Sequence, residues 1–223
     1  MVGNYKSKMA QIRNIIFDFD GTLADTSNLI LATMQKSIKE YCLPARTEEQ
    51  IRATIGVRLE EIPSILWPSH KDIGLIFAMV YRKNFEELKK KIQITLFEGV
   101  KESLSELYDK GYQMAVATSR SHRSVEDLVK RFGINDAFVY ILGGDDVSIG
   151  KPNPESIYKI MSERDWNPTN TLMVGDMPVD IKMGKMAGLM TCGVTYGNGE
   201  AIELENAGAN FMISTFKEIF NIL

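Results

Sequence analysis

Asp18 and Asp20 stand two residues apart in FDFDGTLADT, which runs from Phe17 to Thr26 behind the apolar stretch IRNIIF. Side chains two apart on a β-strand share a face, so this pair predicts two like charges held side by side. Such a pair is unfavourable unless a cation or a proton intervenes. A calcium loop also opens with alternating carboxylates. That reading fails at Thr22, at Leu23 where glycine is needed, and at Leu29 where the closing glutamate belongs. Turn or helix capping by the aspartates is the plain alternative.

Three further polar residues fall at comparable places. Ser119 ends YQMAVATS, Lys151 lies in GKPNPE after AFVYILGGDD, and Asp176 ends TLMVGD. Taken singly, Ser119 reads as a helix cap and Lys151 as a surface lysine stiffened by Pro152 and Pro154. Asp176 and Asp180 read as first-turn acids around Pro178. Taken together they lie where ligands bind in open α/β sheets, beyond the carboxyl ends of strands. A carboxylate pair, a hydroxyl, an ammonium and a further carboxylate are the groups needed to handle a phosphate with a divalent cation.

The elements that must position them follow from the pattern. Apolar runs at IRNIIF, YQMAVAT, AFVYILGG, TLMVG and MTCGVT, with a weaker one at NFMIS, predict strands. Helical patterns separate them, and Gly111, Gly133 and Gly188 close three of these. Unalternating apolar strands between helices predict a parallel sheet covered on both faces, a doubly wound α/β core. From about Asp25 to Ile94 no strand is expected. That stretch reads as an all-helical insertion, and its charge run RKNFEELKKKIQ as a solvated helix face.

Composition narrows the class. The chain has 223 residues, 44% of them apolar, enough for a substantial core. A net charge of −3 gives no basic footprint for nucleic acid or an anionic membrane. Cys42 and Cys192 match no metal or disulfide pattern, and no stretch is long and apolar enough for a membrane span or a leader, so a cytoplasmic protein is expected. Composition leaves monomer and homodimer both open. His70, His122, Trp67 and Trp166 form no constellation and read as packing or surface.

Four motifs in order, FDFDGTL, ATSR, GKPNP and GDMPVD, resemble those of the haloacid dehalogenase-like hydrolase superfamily. The likeness extends to GANFMISTFKEI and to a helical insertion after the first strand, as in the subgroup containing phosphoglycolate phosphatase, pyrophosphatases and β-phosphoglucomutase. It implies a Rossmann-like core at 1–24 and 96–223 and a helical cap domain at 25–95. The implied activity is Mg²⁺-dependent hydrolysis of a small phosphate ester, with phosphoglycolate the leading substrate, through an aspartyl phosphate. A phosphomutase, a pyrophosphatase and a catalytically silent phosphometabolite-binding module are the alternatives. A dehalogenase is disfavoured, because halide leaves without protonation and needs no second aspartate.

The resemblance assigns roles to the motif residues. Asp18 is expected as nucleophile and Asp20 as acid and base. Ser119 would donate to the phosphoryl group, and Lys151 would neutralise charge. Mg²⁺ would sit on Asp18, Asp20 and Asp176, with Asp180 orienting a ligand or water. Thr22, Arg58 in TIGVRLEEI and Arg120 are expected to contact substrate. Met177 departs from the pattern, where a small hydroxyl residue is common after the fourth-motif aspartate.

Overall fold

The computed structural model describes residues 11–223. Its strands are β1 (Asn14–Phe17), β2 (Ala24–Asp25), β3 (Thr95–Leu96), β4 (Gln113–Ala117), β5 (Phe138–Leu142), β6 (Thr171–Gly175), β7 (Met190–Val194) and β8 (Phe211–Ile213). Its α-helices are α1 (Ser27–Glu40), α2 (Glu48–Arg52), α3 (Ile62–Leu66), α4 (Gly74–Leu88), α5 (Val100–Asp109), α6 (His122–Phe132), α7 (Glu155–Arg164), α8 (Pro178–Met186) and α9 (Ala201–Asn206).

Six strands form one parallel sheet in the order β5-β4-β1-β6-β7-β8. The chain winds outward from β1 through β4 to β5, then returns to β6 on the other side of β1. Strand order therefore reverses at β1, and the crevice beyond its carboxyl end is the switch point of the sheet. β1 and β6 are buried along their whole length, which is why their sequences run apolar without alternation. Phe17 ends β1 with its ring 5.6 Å from that of Phe216. Gly111, Gly133 and Gly188 take positive φ where helices end, as expected. The helical pattern of STFKEIFNIL forms a 3₁₀ segment at Phe216–Asn221.

Residues Ser27–Leu88 hold the helical insertion, with α1 packed on α4. Trp67, Phe77, Met34 and Ile51 fill its interior. Trp67 donates from Nε1 to the Pro44 carbonyl at 2.9 Å. A reciprocal capping box, Thr47 with Gln50, starts the short α2. The charge run behaves as a solvated face: Lys83 pairs with Glu40 at 2.7 Å and Lys36 pairs with Glu87 across the exposed seam of α1 and α4. The insertion is tied to the core by β2 and β3, an antiparallel ribbon pairing Ala24 with Leu96 and Asp25 with Thr95. That ribbon was not expected from sequence, since two residues per strand leave no readable period.

Candidate active site

Asp18 follows β1 and Asp176 follows β6, and the two strands are adjacent. The Asp18 amide donates to the Val174 carbonyl at 2.9 Å, which fixes the end of one strand against the other. Asp180, one turn into α8, points back to the same place. Oxygens of Asp18, Asp176 and Asp180 lie within 4.8 Å of one another, and all three residues are buried. Lys151 reaches them from the loop after β5. Its Nζ donates to Asp18 Oδ1 at 2.5 Å and to Asp180 Oδ1 at 2.7 Å.

Three buried carboxylates thus face one ammonium, and the balance is negative. Burial raises Asp18 well above the usual carboxylate range; Lys151 opposes that shift, while Asp180, Asp176 and Asp20 add to it. Burial, reinforced by Asp180, pushes Asp176 up to about 7 despite the donors on its oxygens. Burial would lower Lys151, yet Asp18 and Asp180 outweigh it and raise the ammonium above its ordinary value. A compact set of hard oxygen donors with surplus negative charge fits a small divalent cation such as Mg²⁺.

The backbone around Asp176 is shaped to hold that carboxylate. Gly21 adopts φ +88°, and a Cβ there would fall 2.1 Å from Asp176 Oδ2. Only glycine lets the chain turn at positive φ while passing this close. Thr22 donates to Asp176 Oδ1 at 3.1 Å, and Asn198 donates to Oδ2 from its backbone amide at 2.8 Å and from Nδ2 at 2.9 Å. Ser27 donates in turn to Asn198 Oδ1 at 2.7 Å. The capping acid Asp180 accepts from the Met177 amide at 3.0 Å. Met177 is buried, and its side chain lies beneath Gly56 of the insertion.

The insertion roofs the site. Ser119 donates from Oγ to the Gly56 carbonyl at 2.6 Å. Arg120 forks onto Asp20, from Nε to Oδ2 at 3.0 Å and from Nη2 to Oδ1 at 2.5 Å. Its guanidinium carbon lies 4.7 Å from the centre of the Phe85 ring on α4. Burial works against that cation, but Asp20 outweighs it and raises its pKa. Arg58 donates to the Ser148 carbonyl at 2.8 Å, bridging insertion and core. Between roof and floor lies a cavity of about 430 Å³, lined by Asp18, Asp20, Ser119, Arg120 and Arg58 among others.

The structure therefore gathers Asp18, Asp176, Asp180 and Lys151 into one cluster and sets Asp20, Ser119 and Arg120 beside it. The carboxylate of Asp20 turns toward Arg120, and Asp180 takes the third place in the acidic cluster. Thr22, expected near substrate, is fully buried behind Asp176 with its hydroxyl on that residue. Arg58 lies on the cavity wall with its guanidinium on Ser148. Asn198 was missed from sequence. Its signal is GNG following β7, the next strand end along the sheet. Trp166 packs against Gln113 through Nε1 at 2.7 Å, and His122 meets Asp146 at 2.6 Å on the half-exposed start of α6.

Sequence and fold now define a class. The family model of haloacid dehalogenase-like hydrolases matches residues 15–194, and the chain belongs to that family. Among its relatives is a chain from Dickeya dadantii (strain 3937) named Probable phosphatase IndB, 34% identical and covering 92% of this chain and 90% of that one. Pyrophosphatase PpaX of Listeria welshimeri is 30% identical, over 96% of this chain and 97% of its own. The phosphoglycolate phosphatase of Pectobacterium atrosepticum is also 30% identical, over 97% and 94%. A hydrolase of the same family from Streptococcus pneumoniae shares the fold at a TM-score of 0.82 and 24% identity, over 95% of this chain and 98% of that one. The protein is a phosphatase-type hydrolase of this family. No helix among the described residues is long and apolar enough to cross a membrane.

Proposed function

We propose that this chain is a Mg²⁺-dependent phosphatase that hydrolyses a small phosphate monoester through an aspartyl phosphate on Asp18. The observation that carries this reading is the buried Asp18 carboxylate, held by Lys151 beside Asp176 and Asp180 at the floor of the cavity beneath the insertion. Asp18, Asp176 and Asp180 supply the carboxylates that would hold Mg²⁺, with Asp20 completing the motif. When bound, the ion would neutralise charge on the phosphoryl oxygens and the carboxylates.

In the first half-reaction an Asp18 oxygen attacks phosphorus as the bond to the leaving oxygen breaks. Asp20 gives its proton to that oxygen, so the alcohol departs neutral. To do so its carboxyl must turn out of the Arg120 fork and toward the ester. In the second, water attacks the phosphorus of the aspartyl phosphate and gives a proton to Asp20. The bond to Asp18 then breaks, and inorganic phosphate is released. Lys151 places positive charge beside the phosphoryl group, and the Ser119 hydroxyl changes partner from the Gly56 carbonyl to a phosphoryl oxygen. Residues 25–95 act as the cap over a core of 1–24 and 96–223, of which 1–10 lie outside the described residues, with the β2–β3 ribbon as the connection. We place the reaction in the cytoplasm, on the free thiols of Cys42 and Cys192.

Pyrophosphate is a second candidate substrate, favoured by the relatives named for that activity. The test is a screen of phosphate monoesters, phosphosugars and pyrophosphate with Mg²⁺. Phosphate release is expected from at least one monoester, and none from Asp18→Asn. Equal release by Asp18→Asn would overturn the mechanism.

A further inference from the structure

Resting on the phosphatase reading, we propose that the chamber above Asp18 selects phosphate esters of uncharged, apolar alcohols and discriminates against carboxylate-bearing leaving groups such as glycolate. Its volume of about 430 Å³ falls within the roughly 300–1,000 Å³ typical of pockets that enclose a whole organic ligand. The apolar walls that the insertion contributes include Ile30, Met34, Ile55, Leu59, Tyr81 and Phe85, beside the polar Thr54, Arg58 and Glu60. Tyr81 and Phe85 stand one turn apart on α4 with ring centres 6.2 Å from each other, so they form a continuous aromatic surface. An alkyl or aryl body gains by leaving water for such walls. An ionised carboxylate loses hydration there unless a cation meets it.

The cations at this cavity have partners in the resting site, Arg58 a neutral carbonyl and Arg120 the carboxylate that must later turn to the ester. Arg82 pairs with Glu60 at 2.7 Å, and Arg58 donates to the Ser148 carbonyl at 2.8 Å. Arg120 is forked onto Asp20 at the base of the chamber. Arg123 stands on the exposed rim, which it shares with the carboxylates of Glu86, Asp127 and Asp145. The chamber therefore presents apolar walls inside and an acidic rim outside. Both features oppose a second negative charge on the substrate.

The test compares kcat/KM for benzyl, cyclohexylmethyl and ethyl phosphates with that for phosphoglycolate, under Mg²⁺. The leaving alcohols are of comparable basicity, so differences report the fit of the organic body. Benzyl and cyclohexylmethyl phosphates are expected to exceed phosphoglycolate by about tenfold or more. Leu59→Arg, at a half-buried turn position, is expected to narrow that ratio by supplying the missing cation. Calorimetric titration with benzylphosphonate and phosphonoacetate, which cannot be hydrolysed, reads binding apart from chemistry, and benzylphosphonate is expected to bind more tightly. Phosphoglycolate turnover equal to that of benzyl phosphate, or phosphonoacetate binding as tightly as benzylphosphonate, overturns the proposal. Should no monoester turn over, the phosphatase reading fails, and the calorimetric order still decides the chamber.

Discussion

Lys151 is the residue on which the buried charges of the site depend. Among the described residues it is the side chain that bonds both Asp18 and Asp180, and burial makes each of those carboxylates costly without it. Lys151→Ala is expected to lower the stability of the metal-free protein by about 3–5 kcal/mol, read by urea denaturation, and to abolish turnover. Asn198 tests the support of Asp176. Asn198→Ala removes the Nδ2 donation to Oδ2 and keeps that of the backbone amide. Its Mg²⁺ affinity, measured by calorimetry, is expected to fall about 10–100-fold. Asp18, Asp20 and Asp176 were legible from sequence because each is a polar residue at the end of an apolar run, and Lys151 because GKPNPE follows one at a short distance. Asn198 was not, because a loop asparagine between glycines has many other uses. The hydroxyl of Thr22 belongs to the same support, and only the fold brings it to Asp176.

At the scale of elements, the turn after β1 carries most of the constraint. Gly21 and Gly99 both adopt positive φ, at +88° and +76°. A Cβ at Gly21 would collide with Asp176 and Asn198, whereas at Gly99 nothing lies within 4 Å. Gly99→Ala is therefore expected to cost about 1 kcal/mol of backbone strain and leave Mg²⁺ binding intact. Gly21→Ala is expected to lose both more stability and Mg²⁺ binding, as thermal melts with and without the ion would record. The parallel sheet was readable because its inner strands β1, β4, β6 and β7 are buried on both faces and so run largely apolar. The β2–β3 ribbon was not, for its pairing is set by where the insertion leaves and rejoins the core. Arg120 was legible as a cation near the site, but its fork onto Asp20 and its place over the Phe85 ring of α4 follow only from the fold.

For the whole molecule, the unbalanced carboxylates make stability depend on pH and metal together. Asp176 is pushed up to about 7 by burial, and Asp18 moves in the same direction. The metal-free folded chain therefore holds protons more tightly than the unfolded chain across the interval from about pH 4 to about pH 7. Stability falls as pH rises through that interval, by on the order of a few kcal/mol. Mg²⁺ takes the deprotonated form, so its stabilising effect grows over the same interval. Melting temperatures at the two ends, in chelator and in Mg²⁺, are expected to diverge as pH increases. The most direct measurement of the central claim uses Asp20→Asn with acetyl phosphate and Mg²⁺. That donor's leaving group needs no proton, whereas water attack on the phosphoenzyme lacks its base, so the phosphoryl group should accumulate. Mass spectrometry of the quenched enzyme should find it on the peptide containing Asp18. A phosphoryl group elsewhere, or phosphate release by this variant with none on Asp18, would contradict the account.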